Sequence, residues 1–420
     1  MIEKTFLSKD GVSTIHYYIW EPEGQPKAVL QIVHGMAEHL LRYADFAEYL
    51  NSCGILVCGN DHIGHGRSSD PKDWGYFGEE DGWKVMIQDV EQLHGIMKVQ
   101  YMDVPYFILG HSMGSFITRA WLAMVGRGVD GAIIMGTSGS NSAVGVAKTL
   151  VGTLRKTQGS RHISKTVTGM AFGSYNKRIK PQRTNYDWLT RNEEIVDRYI
   201  DDPACGFTFT LAGYADLFNV IAYVSSDNWY KLVPKDLPLL IVSGTEDPVG
   251  SYGKGPAEVA EKLEESGCRD VSLILYEDMR HEILNELGNK TVYNDIKRFI
   301  LDEEIPDEED IKYEEEPEID REAVSDSTFI NFGAGPEEPE EPEEPEEPEE
   351  PEEPEEFEEP EEPVLNIPDF GDEPASDEGL GPGDAFIADR PVRQLGLGEE
   401  AHRLTADRAG LLRLSAAEEL

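Results

Sequence analysis

The sequence predicts a doubly wound α/β domain, a mostly parallel sheet with helices on both faces, followed by a polar tail unable to build a core. Three observations carry that prediction. First, runs of four to six consecutive apolar residues alternate with segments of helical spacing; strands buried on both faces read this way, and helices between them make the sheet parallel. Second, the stretch 105–115, PYFILGHSMGS, passes from an apolar run through Gly110, Ser112 and Gly114 into a helix-compatible pattern. Third, the composition changes near residue 303. Residues 303–420 hold 43 acidic and 7 basic residues, a net of −36 out of the chain's −45, which leaves about −9 for residues 1–302.

In chain order, EKTFLS and STIHYYIW alternate as two short strands around the turn Lys9-Asp10-Gly11. AVLQIV (28–33) is a buried strand ending at His34-Gly35-Met36. A helix is expected over 43–50, a strand over ILVCGN (55–60) and a helix over about 83–99. The run before Ser112, the helix after it and the strand GAIIMG (131–136) continue the alternation. From 137 to about 211 the periodicity weakens, and Gly, Ser, Lys and Arg mix with isolated aromatics (Phe172, Tyr175, Tyr186, Trp188, Tyr199). That span is too long for a plain connection and is expected to be a helical lid. LPLLIVSG (237–244), a helix over 256–265, VSLILY (271–276) and a closing helix over 291–300 complete a domain of residues 1–302.

Charge and cysteine usage exclude several function classes. No basic stripe stands out to neutralise phosphates, so a nucleic-acid partner is not expected. The start, MIEKTFLSKDG, lacks the pattern of a signal peptide, and no apolar stretch nears the roughly 18 residues of a spanning helix; a cytoplasmic location is expected. Cys53, Cys58, Cys205 and Cys268 are scattered without CxxC spacing, which reads as reduced thiols with neither disulfide nor metal. No cofactor is implied.

The pattern G-x-S-x-G suits a sharp turn from strand into helix. Glycines two before and two after the serine let the two elements nearly touch, and the turn lifts one hydroxyl above the sheet edge. A serine hydroxyl is a poor nucleophile at neutral pH and needs a base oriented by a carboxylate. An ordinary βα turn with a capping serine is the plainer alternative.

Five stretches occur together in order: HGMAEHLLRY (34–43), NDHIGHGRSS (60–69), GHSMGS (110–115), SGTEDPVG (243–250) and MRHEILNE (279–286). In this they resemble the α/β-hydrolases, in the branch of monoacylglycerol lipases, bacterial lysophospholipases and serine-aminopeptidase-like hydrolases. The resemblance spans about residues 5–301. In that fold the chain order is Ser, acid, His, and the matching positions are Ser112 as nucleophile, Asp247 as orienting acid and His281 as general base, the last two in loops after strands. One oxyanion donor is the N–H of Met113, after the nucleophile; by resemblance the other is the N–H of Met36.

Glu38 and Arg42 match positions that line the polar end of the pocket in monoacylglycerol lipases. Their spacing of four equally suits a helical ion pair. One departure is Leu284, where animal monoacylglycerol lipases usually carry a second histidine; HEILNE and YIDDPACGF (199–207) look more like bacterial lysophospholipase-type members. Asp278 reads as a solvated charge, His111 as a packed side chain, and His62 and His65 as a structural loop despite metal-like spacing.

The tail repeats Pro-Glu-Glu from 336 to 363 with Phe357 as the one interruption. Such a segment favours extended polyproline II and is expected to be disordered, a spacer reaching on the order of 85 Å. Residues 399–420 regain apolar positions and could form an amphipathic helix for a protein partner. The resulting expectation is a serine hydrolase cleaving carboxylic esters of lipid-like substrates, a monoacylglycerol or lysophospholipid, with peripheral membrane contact through the lid. Its rivals are an aminopeptidase, which would need an acidic anchor such as Glu193 or Glu194, and a non-catalytic binding protein. An epoxide hydrolase would carry aspartate in place of Ser112.

Overall fold

The computed structural model describes residues 1–140 and 143–303; the Pro-Glu-Glu repeat and the segment 399–420 lie outside the described residues. Strands β1 (Ile2–Leu7) and β2 (Thr14–Trp20) pair antiparallel, and β3 (Ala28–Val33) leads through a short 3-10 turn to α1 (Ala44–Ser52). Then follow β4 (Ile55–Asn60), α2 (Gly82–Gln100), β5 (Tyr106–His111), α3 (Met113–Met124) and β6 (Gly131–Met135). A long excursion carries α4 (Val144–Gln158), α5 (Lys165–Phe172) and α6 (Glu193–Asp201). It returns through α7 (Leu211–Val224) and α8 (Asp227–Leu232) to β7 (Leu239–Gly244), α9 (Lys254–Glu265), β8 (Val271–Tyr276) and α10 (Lys290–Leu301).

The eight strands form one sheet in the order β1-β2-β4-β3-β5-β6-β7-β8. From β4 to β8 every pairing is parallel, while β1 and β2 are antiparallel additions at one edge. The order reverses around β3, and the carboxyl ends of β5, β6, β7 and β8 point to one rim, where doubly wound sheets place their ligands.

Strand periodicity decides where the core sits. Successive side chains point to opposite faces, so Val29 and Ile108 join an apolar cluster with α2, α3 and α7, whereas Leu30 and Leu109 join a second one with α1 and α10. All residues of β3 to β7 are buried, as continuous apolar runs require. The outermost strand β8 is half-exposed over most of its length.

The excursion is tied at both ends by one side chain. Arg119 of α3, fully buried, donates to the Thr137 hydroxyl at 3.1 Å, the Ser138 carbonyl at 2.9 Å and the Val224 carbonyl at 2.8 Å. Its guanidinium lies 4.4 Å from the Trp229 ring centre. Burial without a carboxylate partner pulls its pKa down to about 10.

Candidate functional site

Ser112 sits where β5 gives way to α3, with φ +54° and ψ −120°, a conformation that side chains other than glycine rarely adopt. The neighbouring glycines make the turn feasible. A Cβ on Gly110 would fall 2.3 Å from the Gly114 carbonyl oxygen, and one on Gly114 would fall 2.0 Å from that of Val33. Those partners are backbone atoms that no rotamer change can move aside.

Asp247 follows β7 and His281 follows β8, so sheet order brings both loops to the rim that carries Ser112. Asp247 is fully buried and its Oδ1 lies 3.0 Å from His281 Nδ1. The same oxygen accepts the Val249 N–H at 2.8 Å, and Oδ2 accepts the Ser243 hydroxyl at 3.2 Å. A carboxylate fixed at three points fixes the imidazole it faces. His281 and Ser112 line one cavity. The geometry joins Asp247 to His281 by a hydrogen bond and places Ser112 in the same cavity lining, without a hydrogen bond from its hydroxyl to the ring.

The loop after β3 approaches the nucleophile closely. A Cβ on Gly35 would lie 3.2 Å from the Ser112 Cβ. Met36 and Met113 both line the cavity, and neither main-chain N–H donates to a backbone acceptor among the described residues. Two unengaged donors flanking a serine can accept charge on a carbonyl oxygen.

Behind that loop lies a buried polar cluster. Glu38 Oε1 accepts the Gly35 N–H at 2.6 Å and the Tyr43 hydroxyl at 2.9 Å, and Oε2 accepts Arg42 at 2.8 Å. Arg42 also makes two bonds of 2.7 Å to Glu282. The ion pair expected from the spacing of four is therefore formed; Glu38 lines the cavity, whereas Arg42 is engaged behind it. Burial opposes the charge on Glu38, but the hydrogen bond from His111 and the Arg42 guanidinium outweigh it and hold the carboxyl well below its usual range. Glu282 is likewise lowered, against burial, by Arg42.

His111 is more than a packed side chain. Its Nδ1 faces Glu38 at 3.3 Å and Tyr43 at 3.1 Å, and its Nε2 faces the His281 carbonyl at 3.4 Å. Both nitrogens meet acceptors, which suits the doubly protonated ring; burial works against that charge, but Glu38 and Glu282 prevail and raise its pKa. His34, His62 and His65 behave oppositely. They pack with ring centres 4.1 to 6.0 Å apart, and burial holds all three neutral, His62 down to about 4 and His65 to about 3.

The cavity measures about 610 Å³ and is walled on one side by apolar residues of α3, α4 and α7, among them Phe116, Val144, Ala147, Leu217, Phe218 and Ile221. The later part of the excursion adds Phe172, Tyr175 and Trp188, which pack on one another, and Trp188 lies 5.0 Å from the His281 ring. Glu193 and Glu194 stand on α6 with side chains 77% and 83% exposed, away from the cavity lining.

Among the described residues one trio, His39, Asp202 and Cys205, brings metal-type ligand atoms within 4.8 Å of one another. His39 Nε2 already meets Asp202 Oδ2 at 2.8 Å, and the Arg42 charge bears on both Asp202 and Cys205, an environment unfavourable to a cation. Sequence reasoning gave no role to Glu282 or Tyr199. A charge between the apolar Ile283 and His281 was the available signal for the first; nothing in the sequence pointed to the second.

The chain is similar to several known proteins. The chain is 28% identical over 303 residues to a monoacylglycerol lipase of Mycolicibacterium smegmatis, covering 71% of this chain and 96% of that protein. It is 28% identical over 277 residues to the mouse monoglyceride lipase, covering 65% and 81% respectively. Among solved structures, a thermostable carboxyl esterase from Bacillus coagulans in complex with glycerol superposes with a TM-score of 0.67 at 30% identity, over 72% of this chain and 96% of that one. A monoglyceride lipase variant from Saccharomyces cerevisiae, at 18% identity and a TM-score of 0.57, shares the fold over 70% of this chain and 94% of its own. Residues 24–288 match the serine aminopeptidase, S33 family, and this chain belongs to it as a member with the α/β-hydrolase fold.

Proposed function

We propose that the protein is a serine hydrolase that cleaves carboxylic esters of monoacylglycerol-type lipids through an acyl-enzyme. The observation that carries this reading is the fixed Asp247–His281 pair, 3.0 Å apart, whose imidazole lines the same cavity as a serine in a strained elbow.

In the first half-reaction Ser112 Oγ bonds to the ester carbonyl carbon while its proton passes to His281 Nε2. The carbonyl electron pair moves to oxygen, which the Met36 and Met113 N–H groups receive. The carbon–alkoxy bond then breaks, and the imidazolium gives its proton to the departing alcohol. Water attacks the acyl-enzyme, His281 takes a proton from it, the bond to Ser112 breaks, and the proton returns to the serine as the acid leaves. Asp247 holds the ring in one tautomer throughout. The apolar wall suits an acyl chain, and the end carrying Glu38 and Glu282 suits an alcohol with free hydroxyls.

The relatives named monoacylglycerol lipase support the ester reading over the aminopeptidase reading, as does the position of Glu193 and Glu194, too exposed to anchor an amine in the cavity. The excursion is proposed to meet the lipid surface. Residues 144–192 contain ten Lys or Arg and a single acidic residue, Asp187. Lys148, Lys156, Lys165, Lys177 and Lys180 are exposed, and Val146, Ile163 and Met170 are 72%, 54% and 45% exposed beside them. Four unpaired cysteines are compatible with a reducing cytoplasm as its location, and no described helix is long and apolar enough to cross a membrane.

The test is labelling with a fluorophosphonate together with assays on 2-monooleoylglycerol, lysophosphatidylcholine and aminoacyl coumarylamides. Ser112 should be the labelled residue, Ser112→Ala should lose both labelling and hydrolysis, and the monoacylglycerol should be the preferred substrate. Labelling that survives in Ser112→Ala, or turnover of the amides alone, refutes the proposal.

A further inference from the structure

We propose that the excursion does more than cover the site: its segment 199–206 positions the oxyanion loop, with Tyr199 and Asp202 as positioning residues for the reaction. The inference rests on the proposed role of Met36 as an oxyanion donor.

The loop 35–39 is conformationally costly. Ala37 has φ +52°, a left-handed conformation that an alanine does not choose unaided. Something outside the loop must hold it there. On the sheet side Glu38 does part of this, taking the Gly35 N–H at 2.6 Å. On the other side the contacts come from the excursion. The Ala37 carbonyl accepts the Tyr199 hydroxyl at 3.0 Å and the Gly206 N–H at 3.0 Å. Two residues on, His39 Nε2 bonds Asp202 Oδ2 at 2.8 Å, while Asp202 Oδ1 accepts the Ala204 N–H at 2.8 Å and so stiffens its own turn.

Three bonds thus converge on residues 37 and 39 from eight consecutive residues. The Met36 N–H lies between the two pinned groups, the Gly35 N–H and the Ala37 carbonyl. Tyr199 is itself well supported. Its ring is buried under the Arg42 guanidinium, 4.8 Å away, and packs 5.0 Å from the Tyr186 ring. Gly206 has φ +70°, and Tyr186 donates to its carbonyl at 3.1 Å. A shift of this segment would carry the Ala37 carbonyl with it and turn the Met36 N–H away from the point where charge develops. Such a misalignment weakens binding of the transition state and leaves binding of the ground state almost unaltered.

The experiment uses the full-length chain with Tyr199→Phe, which removes one hydroxyl and keeps the ring, and Asp202→Ala, which frees His39. Active sites are titrated with a fluorophosphonate so that rates refer to competent enzyme. Losing an oxyanion donor outright costs about 100- to 1,000-fold; losing one of its supports should lower kcat about tenfold, with KM within twofold, and the double variant further. Affinity for a trifluoromethyl ketone, whose hemiketal oxygen occupies the oxyanion position, should fall by the same factor as kcat. A purely structural role would instead reduce the titratable fraction and leave kcat per site unchanged. Wild-type kcat per titrated site in both variants, or an effect confined to KM, overturns the proposal. Failure of the underlying reading would look different, since the wild type itself would then show neither labelling nor ester turnover.

Discussion

Replacing Asp247 by asparagine isolates the contribution of one charge at nearly constant volume. Asp247 Oδ1 serves the Val249 N–H at 2.8 Å and His281 Nδ1 at 3.0 Å, and Oδ2 takes the Ser243 hydroxyl at 3.2 Å. An asparagine can keep its carbonyl on only one side. If the oxygen stays with Val249 and His281, the amide group replaces Oδ2 against a hydroxyl that can reverse its role, and little would change. If the amide instead turns toward His281, it donates to Nδ1, moves the ring proton to Nε2, and leaves no base facing Ser112. Loss of the carboxylate also removes the charge that stabilises the imidazolium in either orientation. In serine proteases the equivalent change lowers kcat about 10⁴-fold, which corresponds to about 5.4 kcal/mol of transition-state stabilisation. The same scale is expected here because Asp247 is wholly buried, so water cannot replace its charge. The assay is hydrolysis of p-nitrophenyl butyrate, normalised to folded protein, alongside a thermal melt. An Asp247→Asn enzyme that folds and retains a tenth or more of wild-type kcat would refute the triad.

Three further outcomes follow from the geometry. Gly114→Ala places a Cβ 2.0 Å from the Val33 carbonyl oxygen and should cost about 3 kcal/mol or abolish soluble expression, whereas Gly145→Ala, with open space around it, should be neutral or mildly stabilising in urea titrations. His62 and His65 are held neutral down to about 4 and about 3, so below their unfolded pKa near 6.5 the unfolded chain binds protons that the native one does not. Stability should fall as pH drops, by about 2 kcal/mol for each ring between pH 7 and pH 5; a flat urea midpoint over that range would contradict the assignment. Exchanging Lys148, Lys156 and Lys165 for glutamate should weaken binding to vesicles containing phosphatidylglycerol by at least about fivefold per residue and leave binding to phosphatidylcholine vesicles unaltered, as sedimentation would measure. Equal binding by variant and wild type would exclude the lysine face as the lipid contact.

The sheet was legible because its strands are buried on both faces, and runs such as AVLQIV, with Gln31 as its single polar residue, and GAIIM lack the polar alternation of a half-exposed strand. The elbow was legible for a related reason, since Gly110 and Gly114 are demanded by backbone contacts of 2.3 and 2.0 Å, and such positions leave a fixed spacing in the chain. Local signals failed where contacts are remote. Helices α4, α5 and α6 lie in the span expected to be a helical lid, but the expectation set no boundaries for them, and α7 and α8 were not foreseen. Ser164 and Thr210 do cap α5 and α7, yet serine and threonine are common enough nearby to hide those two. His111 seemed inert because its partners are 73 and 170 residues away, at Glu38 and the His281 carbonyl. Nothing in the heptapeptide around Tyr199 foretells a hydroxyl reaching the carbonyl of Ala37, 162 positions earlier.

Arg119 grips Ser138 at the start of the excursion and Val224 at the end of the helix that follows it, while belonging to the helix that begins at the nucleophile. With both feet anchored to one cation, swinging open from the roots would strand a buried guanidinium. Any movement of the excursion is therefore expected to be a bend between its own helices, much as a tent opens at the door while its pegs stay in the ground.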